Sequence, residues 1–251
     1  MKFLETLLTP ADFAALAQRD LSRTTCVVFD VLRATSTMLT ALEQGAEAMV
    51  PCFDLEEAVA CRRRDAALLL AGERGGFRIG AALTGGVEFD FGNSPREFTR
   101  DRVAGRRIAI STTNGTRALR ACAHARQVLV ASFANLAATS DYLTANLPEH
   151  VCLVCSGTGD HSSYEDVLGA GALADRLWAS VGTAKVDDAA QVARNCFLAA
   201  GGDLLGAMRF ARNGRRLLSL PELAPDVALC LTPDRFGFVA ALGPDGCVRK
   251  L

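Results

Sequence analysis

The chain has 251 residues, enough for one large α/β domain or two small ones. Half of it is hydrophobic (50%), so it can build a sizeable core, and its formal net charge is −1. That balance excludes bulk binding to nucleic acid or to an acidic membrane surface, which needs a basic excess. A small anionic ligand held by a local basic site stays open.

Nine cysteines are scattered, several of them through hydrophobic runs (Cys26, Cys52, Cys152, Cys155, Cys230). In a chain of this length they read as buried free thiols in a reducing cytosol. The stretch MKFLETLLTPADF carries acidic residues and a Pro and has no small-residue cleavage site, so it does not read as a signal peptide. No apolar run approaches the ~20 residues that cross a bilayer. The expectation is a cytoplasmic protein with no membrane and no nucleic-acid partner.

In chain order, TTCVVFDV (24–31) predicts a strand and residues 35–45 a helix ending at Gly45. AEAMVPC (46–52) is strand-like; Asp54 caps a helix to about Arg64; AALLLAGE (66–73) is strand-like again. Strands at 106–112, 127–132 and 150–158 are each followed by a helical stretch, at 114–124, 134–146 and 163–180. Beyond residue 186 come a helical tract, a basic patch RFARNGRR (209–216), and two strand-like runs, DVALCL (226–231) and FGFVAAL (236–242). This βαβα alternation predicts a three-layer α/β/α fold, a mostly parallel sheet with helices on both faces. The whole of 1–251 reads as a single α/β domain. Residues 74–100 break the rhythm with six glycines and a Pro. A loop this long inside a compact domain reads as a lid or binding loop.

Open α/β sheets bind ligands beyond the carboxyl ends of their strands. Four polar clusters fall there. They are Asp30 to Thr37, with Arg33, Thr35 and Ser36; Gly72 to Gly76, with Glu73 and Arg74; Ser111 to Thr116, with Thr112, Thr113, Asn114 and Gly115; and Ser156 to Asp160, with Gly157 and Thr158, followed by Glu165 and Asp166. Hydroxyls and glycine amides at a helix start suit an anion, and arginine forks bind phosphate or carboxylate. Carboxylates beside such a site make sense mainly if a hard cation such as Mg2+ neutralises them.

Each cluster also has a plain structural reading. Thr112 or Thr113 serves as an N-cap, Asp30 caps the next helix, Ser163 and Asp166 form a capping box, and Glu73 and Arg74 pair at the surface. Four such accidents at one sheet edge are harder to accept than one ligand.

Several phosphate chemistries are excluded. There is no GxxxxGK[ST] loop, and Gly157-x-Gly159 lacks the third glycine of a dinucleotide fingerprint. Leu32 stands where a haloacid dehalogenase-type phosphatase needs its second aspartate. Neither Cys155 nor Cys26 has an Arg at the offset a cysteine phosphatase needs. Cys152 and Cys155 point to opposite faces of one strand and read as core. His161 is a lone loop histidine, more often incidental than catalytic.

FDVLRATST, GERGG, FGNSP, STTNGT and the late Gly-Thr-Gly with Ser-x-Glu-Asp together resemble the 2-phosphosulfolactate phosphatases, over about residues 26–171. The resemblance implies an α/β enzyme of coenzyme M biosynthesis that removes phosphate from 2-phospho-carboxylic acids with Mg2+. On that reading Asp30 and Glu73, with Glu165 or Asp166, hold the metal. Arg33, Thr35, Ser36 and the loop of Thr112, Thr113, Asn114, Gly115 and Thr116 grip phosphate with Gly157 and Thr158, and Asp30, Arg33 and Glu73 are the catalytic set. Arg74 or the patch of Arg212, Arg215 and Arg216 takes the substrate's carboxylate or sulfonate, and Asn93 and Ser94 lie on a closing loop. Metal-activated water and an aspartyl-phosphate at Asp30 both remain open. So do a non-enzymatic binder of a phosphorylated metabolite and a phosphoryl transferase. A homodimer is expected only as the commonest oligomer.

Overall fold

A computed structural model describes residues 1–181 and 185–251. Ten strands form one mixed, mostly parallel sheet, in the order β1 (Phe3–Leu7), β8 (His150–Cys155), β2 (Thr24–Phe29), β7 (Gln127–Ala131), β9 (Ala240–Leu242), β10 (Val248–Lys250), β3 (Ala48–Pro51), β6 (Arg107–Ser111), β4 (Leu69–Arg74) and β5 (Phe77–Arg78). Two parallel blocks, β1-β8-β2-β7 and β3-β6-β4, flank the antiparallel pair β9-β10. Helices cover both faces, which makes the three-layer α/β/α arrangement.

On one face Phe29, Leu153 and Leu129 pack against α6 (Leu136–Asn146), α7 (Tyr164–Val181), α8 (Asp188–Ala200) and α11 (Ala224–Leu231). On the other, Val28, Val130 and Ile110 pack against α2 (Ala34–Glu43) and α5 (Gly115–Ala121). A further cluster joins Leu70 of β4 and Ala109 of β6 to α3 (Leu55–Arg64). Alternate residues of β2 belong to opposite clusters, as a strand buried on both faces requires. Cys152 and Cys155 divide in the same way, and all nine cysteines are free thiols.

Three successive antiparallel pairings separate β7 from β3, so the second block runs opposite in sense to the first. Strand twist of roughly 20–25° per pairing accumulates to about 100° between β2 and β6, so the two blocks do not lie simply opposed. Helices α2 and α5, shared by one cluster that spans both blocks, hold the junction.

Asp54 caps α3, its Oδ1 accepting the Glu57 amide at 2.8 Å, as its position predicts. Two expectations are corrected. DVALCL is not a strand but lies in α11, whose buried residues Asp226, Val227, Cys230 and Leu231 follow helical spacing behind Pro225 in its first turn. Of FGFVAAL only Ala240–Leu242 is strand. The sequence pattern also passed over β1, β10 and the two-residue β5 inside the 74–100 loop.

Candidate active site

The carboxyl ends of β2, β4, β6 and β8 meet at one cleft of about 190 Å³. Asp30, Arg33, Glu73, Asn93, Thr112, Thr113, Asn114 and Thr158 line it, with Arg216 and Asn213 of α10 (Arg212–Leu218). The strand-end clusters are therefore brought together, and each is fixed to another by hydrogen bonds.

Glu73 ties two loops. Its Oε1 accepts the Thr113 amide (3.1 Å) and hydroxyl (2.8 Å), and its Oε2 accepts the Gly76 amide (2.7 Å). Thr113 is therefore no N-cap; Asn114 holds the cap position of α5, and its Oδ1 accepts the Gly159 amide at 3.3 Å. Thr112 Oγ1 accepts the Thr116 amide, and the Thr116 hydroxyl returns to the Thr112 carbonyl. Asp166 is not a capping-box acid either. Its two oxygens accept the Val31 amide (2.8 Å) and the Gly157 amide (3.2 Å), joining the end of β2 to the loop after β8. Asp30 does serve the start of α2, accepting the Ala34 amide at 3.1 Å, and it faces the cleft as well.

Other expected contacts go elsewhere. The Thr35 hydroxyl donates to the Asp30 carbonyl and the Ser36 hydroxyl to the Val31 carbonyl, so both shape the turn and neither lines the cleft. Arg74 is spent on the Ser111 carbonyl and hydroxyl and on the Glu73 carbonyl. Ser94 donates to Asp226. His161 is exposed and lines a neighbouring cavity with Glu165 and Arg212. Arg33 is neither solvated nor free: it is 3% exposed and paired with Asp226 at 2.5 Å.

Two residues with a place in this architecture drew no expectation. Asn213 sits among the arginines of the basic patch and bridges Thr158 Oγ1 (2.8 Å) and Glu165 Oε1 (2.7 Å). Asp226 is the single acid of an apolar run; an acid buried there needs a cation, which is the signal that would have found it.

The electrostatics set this cleft apart from an anion site alone. Burial pushes Asp30 up to about 7, and the nearby Glu73 and Glu165 charges add to it against the Ala34 and Gly115 amides. Burial, with Asp30 and Glu165 beside it, raises Asp166 well above the usual carboxylate range, and burial raises Glu165. Among the described residues none of Asp30, Glu73, Glu165 and Asp166 is within an ion pair, and Glu165 Oε2 is buried without a hydrogen-bond partner. A cation would relieve that repulsion. Among the described residues no three His, Cys, Asp or Glu side chains are gathered tightly enough to chelate an ion by themselves. The donor set fits Mg2+ held in its usual way, by one or two carboxylates with the substrate's phosphate and water.

The fold and cleft define an α/β protein whose strand ends bring carboxylates and arginines to one small polar site. The family described as 2-phosphosulpholactate phosphatase matches residues 12–243, and the chain belongs to that family. A protein of Caldanaerobacter subterraneus named "Probable 2-phosphosulfolactate phosphatase" is 35% identical over 250 residues, 98% of each chain. Proteins of the same name from Deinococcus radiodurans (41% over 202 residues, 80% of each) and Thermotoga maritima (35% over 218 residues, 87% of this chain and 88% of that one) are similar.

Proposed function

We propose that the protein is a Mg2+-dependent phosphatase that hydrolyses 2-phosphosulfolactate, or a related 2-phospho-carboxylic acid, to the 2-hydroxy acid and phosphate. The observation that carries this reading is the cleft itself, where the buried Asp30, the partly exposed Glu73 and two arginines face one small volume, with the buried Glu165 and Asp166 adjoining Asp30. An anion binder would not keep uncompensated carboxylates beside its ligand. The relatives' shared name gives the substrate class.

On this reading Arg33 and Arg216 hold anionic groups, with hydroxyl and amide donors from Thr112, Thr113, Asn114 and Thr158. Asp30 stands at the reaction centre, and Glu73 fixes the two loops that frame it. Asp30 and Glu73, with Glu165 or Asp166, would hold Mg2+. The bound ion supplies charge neutralisation and Lewis acidity at the phosphoryl oxygens. The rest is positioning and electrostatic stabilisation, which dominate phosphoryl-transfer catalysis. Water attack and a phospho-aspartate both use Asp30, and acid-quench trapping of phosphate on the protein separates them.

The test is phosphate release from 2-phosphosulfolactate, 2-phospholactate and 2-phosphoglycerate, each with Mg2+ and with EDTA. Release that needs Mg2+ and favours these esters over simple alkyl phosphates is expected. No release from any ester by folded protein overturns the hydrolase reading; phosphate found on an acceptor makes it a transferase.

A further inference from the structure

We propose that Asp226 is a positioning residue that aims Arg33 into the cleft, a role that rests on the phosphatase reading of that cleft. Asp226 is fully buried and does not line the cleft, yet side chains from two other segments converge on it. Its Oδ2 accepts from Arg33 Nη1 at 2.5 Å, and its Oδ1 accepts from Ser94 Oγ at 2.7 Å and Arg96 Nε at 2.6 Å. Arg33 Nη2 donates in turn to the Gly76 carbonyl at 2.9 Å. Contacts through both terminal nitrogens of a planar fork fix the plane of the guanidinium as well as its place. Two of its five donors are committed, and the others remain for an anion in the cleft that Arg33 lines.

The geometry also shows what Asp226 prevents. Asp30 and Glu73 line the same cleft, and among the described residues neither has an ion-pair partner. An untethered Arg33 would turn onto them, because charges attract strongly where water is scarce. Asp226 outcompetes them from behind, and Ser94 and Arg96 hold Asp226 in its turn. The Arg96 guanidinium also reaches the Glu222 carbonyl, so the segment around residues 94–96 and the approach to α11 are stapled together. Helix α11 thereby takes part in the site although its residues carry no phosphate motif.

The experiment is a double-mutant cycle of Asp226→Asn and Arg33→Met, read as kcat/KM and KM for phosphate release and as Kd for inorganic phosphate, with circular dichroism to verify folding. Asp226→Asn should lower kcat/KM by about tenfold or more, yet change it less than about twofold when Arg33 is already Met. Should Asp226→Asn not fold, Ser94→Ala and Arg96→Ala loosen the same carboxylate and should each cost about threefold or more, again only while Arg33 is present. Additive losses, or kinetics unchanged in every variant, overturn the positioning role while leaving the phosphatase reading in place. Wild-type protein that releases no phosphate, but whose phosphate affinity falls non-additively in the same cycle, overturns the phosphatase reading and keeps the positioning role.

Discussion

Gly115 lies hard against Asp30: a Cβ on Gly115 would stand 2.6 Å from Asp30 Oδ2 and 2.8 Å from the Ala34 Cβ. The loop after β6 is thus packed onto the end of β2 with no room for a methyl group. Gly115 opens α5, where Ala is otherwise the better helix former. Gly115→Ala should therefore displace Asp30 and not unfold the helix. The expected result is a loss of about 10²-fold in kcat/KM in a protein with normal circular dichroism. Steady-state kinetics checks it, and wild-type kinetics would remove Asp30 from the reaction centre.

A second glycine makes the contrast. A Cβ on Gly171 of α7 would stand 2.0 Å from the Ala193 carbonyl oxygen of α8, so α7 and α8 touch backbone to backbone there. Gly171→Ala forces them apart and should cost about 1–3 kcal/mol, as overpacking does. Thermal melting should show the loss, while activity per folded molecule at low temperature stays near that of wild type.

Asp30 links stability to pH. Its carboxyl moves from an ordinary 3.8 to about 7 in the fold, so the native state keeps its proton where the unfolded chain has lost it. Stability from this group is present at low pH and declines as pH rises from about 4 to 7, by an amount on the order of a few kcal/mol. Asp30→Asn should flatten that decline. Mg2+ at pH 7.5 should raise the melting temperature of wild type and much less that of Asp30→Asn; an equal response in both would place the ion elsewhere.

Asn213 gives its two amide protons to Thr158 and Glu165. Asn213→Ala leaves Glu165, 1% exposed, with neither oxygen hydrogen-bonded by a side chain. The expected cost is about 1–3 kcal/mol of stability, with a fall in kcat/KM larger than Thr158→Val produces. Urea unfolding and steady-state kinetics on both variants check it.

What could be read in advance follows from the range of the forces involved. Strand patterns, the Asp54 cap and the polar strand ends are local, and parallel-strand chemistry places such ends at ligand sites, so Asp30, Glu73, Thr113 and Thr158 were legible. A six-residue apolar run has no periodicity that separates strand from helix, so DVALCL misled. Thr35, Ser36 and Arg74 have the right side chains for gripping phosphate, but nearby backbone groups claim them, and only the folded chain decides which acceptor wins.

By itself the amino-acid sequence determined the α/β class, the buried thiols and the small set of strand ends where chemistry gathers, because periodicity and turn chemistry act over a few residues. Only the tertiary structure decided that β9 and β10 reverse the sheet between its two parallel blocks, and that residues from the carboxyl ends of both blocks still line one cleft. It alone paired Arg33 with Asp226, 193 residues away, so that Arg33 forms its ion pair with Asp226 and not with Asp30. Such a pairing rests on burial and charge balance, which exist only once the chain has closed on itself.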